Sequence, residues 1–363
     1  MKLYKGIGLM SGTSLDGIDL AYCEFSEKEG NWRFELLAAE TIPYDEQWYA
    51  RLACLDEQDG LAYAKTNVYL GHHFGKTLKE FITRNELKPD FVASHGHTIF
   101  HQPEKNFTAQ IGDGETIVAY LPCPLITNFR NKDVAMGGQG APLVPFGEKF
   151  LFPDQKLFLN LGGISNLSFE GKAFDVSPCN MALNWLCSTL APPLPYDFNG
   201  ELAQSGKMDY DLYATLEALP FYEKSGPKSL GVEWFNANVL PLISNDAIPV
   251  ANRLRTFCLH IVSRLTVAFR EIGAQNQKLV VSGGGAHNTF LMEELQKSIA
   301  PMGIEFEHLN KDVIDFKEAI IFAFLGLQTV LGRPNILASV TGSKMDISGG
   351  SIHLPNTGWD ISI

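Results

Sequence analysis

Apolar residues alternate with polar or small ones through "LYKGIGLM", "DLAYCEF" and "RFELLAAETI", and each run predicts a strand. The first two are joined by the glycine-rich "GLMSGTSLDGID", Gly8 to Asp19, so this loop returns as a strand and not as a helix. Ala64, Val68, Gly71, Gly75, Leu78 and Ile82 then recur at helical spacing and predict a helix through "LAYAKTNVYLGHHFGKTLKEFI". "DFVASHG" is a short apolar run ending at Gly96, the form of a buried parallel strand. Ser94, His95 and His97 stand at its carboxyl end, where open α/β sheets place ligands.

A second cycle of the same kind starts at "KLFLNLGGISNLSFEG", where a strand meets Gly162 and Gly163, continues through "ISNLSF" and "KAFDVSP", and enters the helical "NMALNWLCSTL". A long helix follows with Leu254, Cys258, Ile261, Leu265, Ala268 and Ile272 on one face, then the strand "KLVVSGGG" and a helix from about Asn288. The last helix, "DFKEAIIFAFLGLQTVLG", is ended by Gly332 and Pro334. Two strand–glycine–strand cycles predict a duplicated α/β architecture of two domains, 1–130 and 131–363, with the final segment able to pack back on the first domain.

Composition narrows the function classes. Forty-one acidic residues against twenty-nine basic give a net charge of -12, which repels nucleic acid and anionic membranes where no Lys/Arg run offsets it, and none is visible. No stretch has the apolar length of a membrane span or signal peptide, so a cytoplasmic protein is expected. The six cysteines, at 23, 54, 123, 179, 187 and 258, form no CxxC pair and read as free thiols, not as a zinc site.

The glycine loop matches neither GxxxxGK[ST] nor GxGxxG. Two halves that each open with a glycine-turned hairpin, plus the later "VSGGG" turn, resemble the actin, hexokinase and Hsp70 superfamily. "GLMSGTSLDGID", "SHGHTIFHQP", "TAQIGDG", "FRNKDVAMGGQGAPLVP", "NLGGISN", "YDFNG", "SGGGAHN" and "SVTG" occur in order and resemble the 1,6-anhydro-N-acetylmuramic acid kinase family over essentially the whole chain. The resemblance implies a two-domain actin-like ATPase, of duplicated ribonuclease H-like fold, with an interdomain cleft. It implies an enzyme that opens the anhydro sugar with water and phosphorylates O6, using ATP and Mg²⁺, and that forms a homodimer. It implies nucleotide contacts from Ser11, Gly12, Thr13, Ser14, Asp16, Gly17 and Asp19, from Asn160, Gly162 and Gly163, and from Gly283, Gly284 and Gly285. Mg²⁺ then supplies the charge that a P-loop lysine would share, with Asp16 and Asp19 as its ligands or holding its waters; Asp19 reads equally as a strand-end residue satisfied by backbone.

In the family the catalytic base lies in a pattern close to DTGPGN, which "DVSPCN" resembles at Asp175, Pro178 and Asn180. A carboxylate there suits both water activation and a developing oxocarbenium charge, while the bland alternative is an aspartate capping the helix that starts nearby. Ser177, Cys179 and Asn184 depart from the family pattern, and Cys179 reads as a packed thiol. Arg130 is implied as a contact to the sugar or its lactyl carboxylate, against a surface pairing with Asp133. Gly138 and Gln139, in "GGQGAPLVP", belong to a ligand-approaching loop or to a hinge. Glu318 faces substrate or serves as a helix-start dipole partner. His95 and His97 are expected to hydrogen-bond near the sugar, a transition-metal pair being the alternative. The rival functions are a kinase for another amino sugar and an impaired sugar-binding homologue.

Overall fold

The computed structural model describes residues 2–12, 15–170, 172–223, 228, 230–307 and 309–356. Thr13 and Ser14 lie outside the described residues. The chain divides into two compact units, residues 1–153 with 316–363, and residues 154–315.

In the first unit, β1 (Leu3–Ser11), β2 (Gly17–Lys28) and β3 (Asn31–Pro43) form an antiparallel meander. Helix α1 (Gly60–Arg84) starts where Asp59 accepts the Ala62 N–H at 2.7 Å, a side-chain N-cap. It buries Thr66, Leu70, Phe74, Thr77, Leu78 and Phe81, while Ala64 and Val68, expected on that face, are exposed. The face is rotated because Gly71 and Gly75 admit the Asp113–Thr116 turn and the Tyr120 ring, which brings the larger side chains at 70 and 74 inward. β4 (Phe91–Gln102) runs parallel to β1, β5 (Phe107–Ile111) folds back on its far half, and β6 (Leu125–Thr127) is parallel to its near half. Helix α2 (Val144–Leu151) precedes the crossing into the second unit.

In the second unit, β7 (Leu157–Leu161), β8 (Ile164–Phe169) and β9 (Lys172–Pro178) repeat the meander and lead into α3 (Asn180–Ser188). Helix α4 (Val250–Glu271) buries Leu254, Cys258, Ile261, Leu265 and Ala268 as its apolar spacing predicts. β10 (Lys278–Ser282) is parallel to β7, α5 (Thr289–Ile299) begins at an Asn288 cap 3.0 Å from Leu291 N, and β11 (Glu305–Phe306) is parallel to β10.

The chain then re-enters the first unit as α6 (Lys317–Val330) and β12 (Ser351–His353), which pairs with β6. Twelve residues of α6 are buried, as expected of a helix apolar on nearly every side. It lies across β1, β2 and β4. Contact is close because Gly8 has no side chain: a Cβ there would overlap the Ala319 carbonyl.

The sheet order β3-β2-β1-β4-β6 in one unit and β9-β8-β7-β10-β11 in the other is the same, strand sense included. This is the duplicated ribonuclease H-like topology of the actin-like class. The units divide at Pro153, not near residue 130. Residues 131–153 stay with the first unit because α2 packs on α6, Phe146 lying 5.8 Å from Phe324 and Lys317 Nζ 2.9 Å from Glu148.

Candidate active site

The expected site residues that are described fall in both units. In the first, Ser11 ends β1 and is buried, its Oγ 2.7 Å from the Tyr44 hydroxyl and 2.9 Å from His97 Nδ1. Burial pulls His97 down to about 4, so its ring is neutral at neutral pH. The Gly12 carbonyl accepts the Leu15 N–H at 3.3 Å, Gly17 passes hard against the Ile42 carbonyl, and Asp16 is exposed between Leu15 and Gly17. Asp19 accepts from Thr41 Oγ1 at 2.6 Å across the β2–β3 ladder.

Gly96, at φ 75°, sits where the β1–β4 register slips, and the two histidines take different partners. His95 Nε2 accepts the Arg130 Nε–H at 3.0 Å, which requires the proton on Nδ1, and Nδ1 donates to the Gly96 carbonyl at 3.0 Å. Burial and the Arg130 charge hold His95 well below the usual imidazole range. Both nitrogens are therefore committed to the chain, which removes His95 as a metal ligand. Among the described residues no group of three or more His, Cys, Asp or Glu could hold a metal ion.

Arg130 Nη1 also donates to the Gly140 carbonyl at 2.8 Å. It does not pair with Asp133, which is wholly buried and instead accepts from Gly140 N at 2.7 Å and Thr341 Oγ1 at 2.8 Å. Gly138 donates to the Asp133 carbonyl at 2.8 Å, and a Cβ on Gly138 would overlap the Asp133 carboxylate. Gln139 N–H reaches the Thr341 carbonyl at 2.8 Å, and the Gln139 backbone meets His101. The glycine loop is thus fastened inside the first unit beside Arg130, and does not lie at the division of the units. Burial lowers Arg130 to about 10, opposed by Glu318, and pushes the Glu318 carboxyl up against the pull of Lys317 and Arg130.

The second unit brings its glycines to the carboxyl ends of the parallel strands β7 and β10. The first N–H groups of α3 are satisfied by the hairpin: Asn180 N donates to Gly162 O at 3.0 Å, and Cys179 N and Met181 N to Gly163 O at 2.8 and 3.1 Å. Asn180 Nδ2 ties the same helix start to the Leu161 carbonyl at 2.8 Å. Gly283, at φ 84°, leaves no room for a Cβ beside Asn160 and Leu161, and Gly284 and Gly285 lie against the Asn180 amide. Asn160, Gly162, Gly163 and Gly283–Gly285 therefore form one cradle built of backbone.

Asp175 stands on β9 opposite Asn166, at a bulge in the β8–β9 ladder. It does not cap α3, whose N-cap is Cys179. Its N–H donates to the Lys228 carbonyl at 2.9 Å and its Oδ2 accepts the Leu230 N–H at 2.8 Å. Burial pushes its carboxyl up to about 6, the Leu230 bond pulling the other way, which is the range a general base needs at neutral pH. Cys179 is buried and its thiol pushed up to about 12, so it is inert packing and no nucleophile.

Tyr44, Thr341, Asn180 and Leu230 join the expected residues through the contacts above. Asn180 stood in "DVSPCN", and Tyr44 follows Pro43, the register partner of Gly17; Leu230 contributes only a backbone N–H and left no signal.

A family model described as anhydro-N-acetylmuramic acid kinase matches residues 4–355. The anhydro-N-acetylmuramic acid kinase of Aliivibrio fischeri is 36% identical over 373 aligned residues, covering 97% of this chain and 100% of that protein. That of Coxiella burnetii is 33% identical over 370, covering 96% of each. A solved structure, component A of the (R)-2-hydroxyglutaryl-CoA dehydratase of Acidaminococcus fermentans, is similar at 12% identity and a TM-score of 0.45, covering 88% of this chain and 96% of that one. With a family match across nearly all its length and relatives matched end to end, this chain belongs to the anhydro-N-acetylmuramic acid kinase family.

Proposed function

We propose that the chain is an ATP-dependent kinase that opens 1,6-anhydro-N-acetylmuramic acid with water and phosphorylates O6, giving N-acetylmuramic acid 6-phosphate in the recycling of peptidoglycan. The observation that carries this reading is Asp175, a carboxyl raised to about 6 and held by one backbone donor. Asp175 takes a proton from water as its oxygen bonds to C1, and its charge favours the cationic character developing there. The C1–O6 bond breaks, O6 bonds to the γ-phosphorus, and ADP leaves; the second water proton stays on the new hydroxyl, and Asp175 later returns its proton to solvent.

Ser11 and the glycine turns supply hydroxyl and backbone donors suited to phosphate. Arg130, oriented by His95 and Gly140, presents the fork that suits a carboxylate such as the lactyl group. Asp16 and Asp19 carry the hard oxygens that suit Mg²⁺, which keeps most of its waters and takes one or two carboxylates; bound with nucleotide, the ion would offset phosphate charge. Homodimer assembly rests on the family resemblance and is checked by light scattering.

The test is a reaction in ¹⁸O-water with ATP and the anhydro sugar. Label at C1 of a 6-phosphate product supports the reading, and Asp175→Asn should lower turnover by about a thousandfold or more. A product without label, or an Asp175→Asn enzyme at full rate, overturns it.

A further inference from the structure

We propose that Lys228, backed by Tyr222 and His260, is a positioning residue for Asp175: it fixes the backbone segment that grips the Asp175 carboxylate. The inference rests on Asp175 being the base.

Asp175 is bracketed by this segment, with Lys228 accepting its N–H at 2.9 Å and Leu230 donating to its Oδ2 at 2.8 Å. Leu230 is 55 residues from Asp175 in sequence. The Lys228 side chain helps to hold this backbone. The ammonium lies 4.6 Å over the Phe221 ring and donates to the Phe221 carbonyl at 3.4 Å, a cation–π contact and a hydrogen bond on one residue. Phe221 is itself buried against Trp234, 5.3 Å away.

The neighbouring Tyr222 anchors that residue to the interior of α4. Its hydroxyl lies 2.9 Å from His260 Nε2, and His260 Nδ1 lies 2.5 Å from Glu217 Oε1. His260 is wholly buried, and burial holds its ring below the usual range and neutral. A neutral ring against a carboxylate donates from Nδ1, leaving Nε2 to accept the Tyr222 O–H. Glu217 also takes Ser263 Oγ at 3.0 Å and pairs with Arg264, whose guanidinium lies 5.2 Å over the Tyr222 ring. Buried hydrogen bonds of this kind are costly to release, which restrains Tyr222 against α4. The line from Glu217 through His260, Tyr222, Phe221 and Lys228 ends at the backbone beside the Asp175 carboxylate.

Three purified full-length variants decide the matter: Lys228→Met, Lys228→Arg and Tyr222→Phe, each measured for kcat, for KM of both substrates and for thermal midpoint, with Asp175→Asn alongside. Lys228→Met is expected to lower kcat about tenfold, because a small displacement of a reacting group is enough to do so, with both KM values unchanged. Lys228→Arg keeps the ring contact and the donor and should restore most of the rate. Tyr222→Phe tests the same line from its far end and should lower kcat in the same direction. A Lys228→Met enzyme with wild-type kcat beside an inactive Asp175→Asn overturns this inference and leaves the base reading standing. Equal impairment of the Met and Arg variants with a lowered thermal midpoint marks a merely structural lysine and also overturns it. An Asp175→Asn enzyme at full rate removes the base and the inference together.

Discussion

At Asp175 two effects oppose one another: burial favours the protonated carboxyl, and the Leu230 N–H favours the carboxylate, with burial the larger. A base must be ionised to act, so kcat/KM for the sugar should be level above about pH 6 and fall about tenfold per unit below it. The same shift bears on stability. The folded carboxyl ionises at about 6 and the ordinary one at 3.8, so between those pH values the folded state holds the extra proton, and stability is lost as pH rises through that window. Asp175→Asn should therefore raise the thermal stability at pH 7.5, by about 1–3 kcal/mol, and leave it unchanged at pH 3.5; melting curves at the two pH values check this. At Arg130 the test is specificity. Arg130→Ala should raise KM for the sugar about a hundredfold and leave KM for ATP within a factor of about three, since a lost charged bidentate contact is worth about 3 kcal/mol. The motifs made both residues legible, but their partners were not. Leu230 lies 55 positions from Asp175, and His97 lies 86 from Ser11, and no local pattern encodes such pairs.

Among the elements, glycine sets how closely they approach. Gly283 holds φ 84° with Leu161 in the way of any Cβ, so Gly283→Ala should lower stability by about 1–3 kcal/mol and raise KM for ATP, measured by melting and initial rates. Gly8→Ala would drive a methyl into the Ala319 carbonyl and lift α6 from β1; a lower thermal midpoint with the KM for ATP also raised is the expected result, because Ser11 ends the same strand. Strand–glycine–strand was readable twice because hairpins are local, and both meanders formed as the alternation implied. The α1 face was not, because what decides it is the Asp113–Thr116 turn and the Tyr120 ring, which meet Gly71 and Gly75 from more than forty residues away in sequence.

For the whole molecule, the second unit is one continuous stretch inserted into the first. Its sheet and helices come entirely from Asp154–Asp315, so that segment expressed alone should give a cooperative melt by circular dichroism. Residues 1–153 alone should not, because the face of β1, β2 and β4 that α6 covers would stand open to water. Adding 316–363 in trans should restore some of the lost structure. The boundary escaped the sequence because α2, lying between the expected and the observed division, carries no mark of which unit it joins; its partner α6 arrives more than 160 residues later.

That late arrival orders events on the ribosome. At about 5–20 residues per second, the opening meander emerges, waits while the entire insert is made, and is covered only when Lys317–Val330 leaves the exit tunnel. The meander is thus made well before it can mature, with a greasy sheet surface on display for roughly 15 to 60 seconds, the interval in which a holdase would find it.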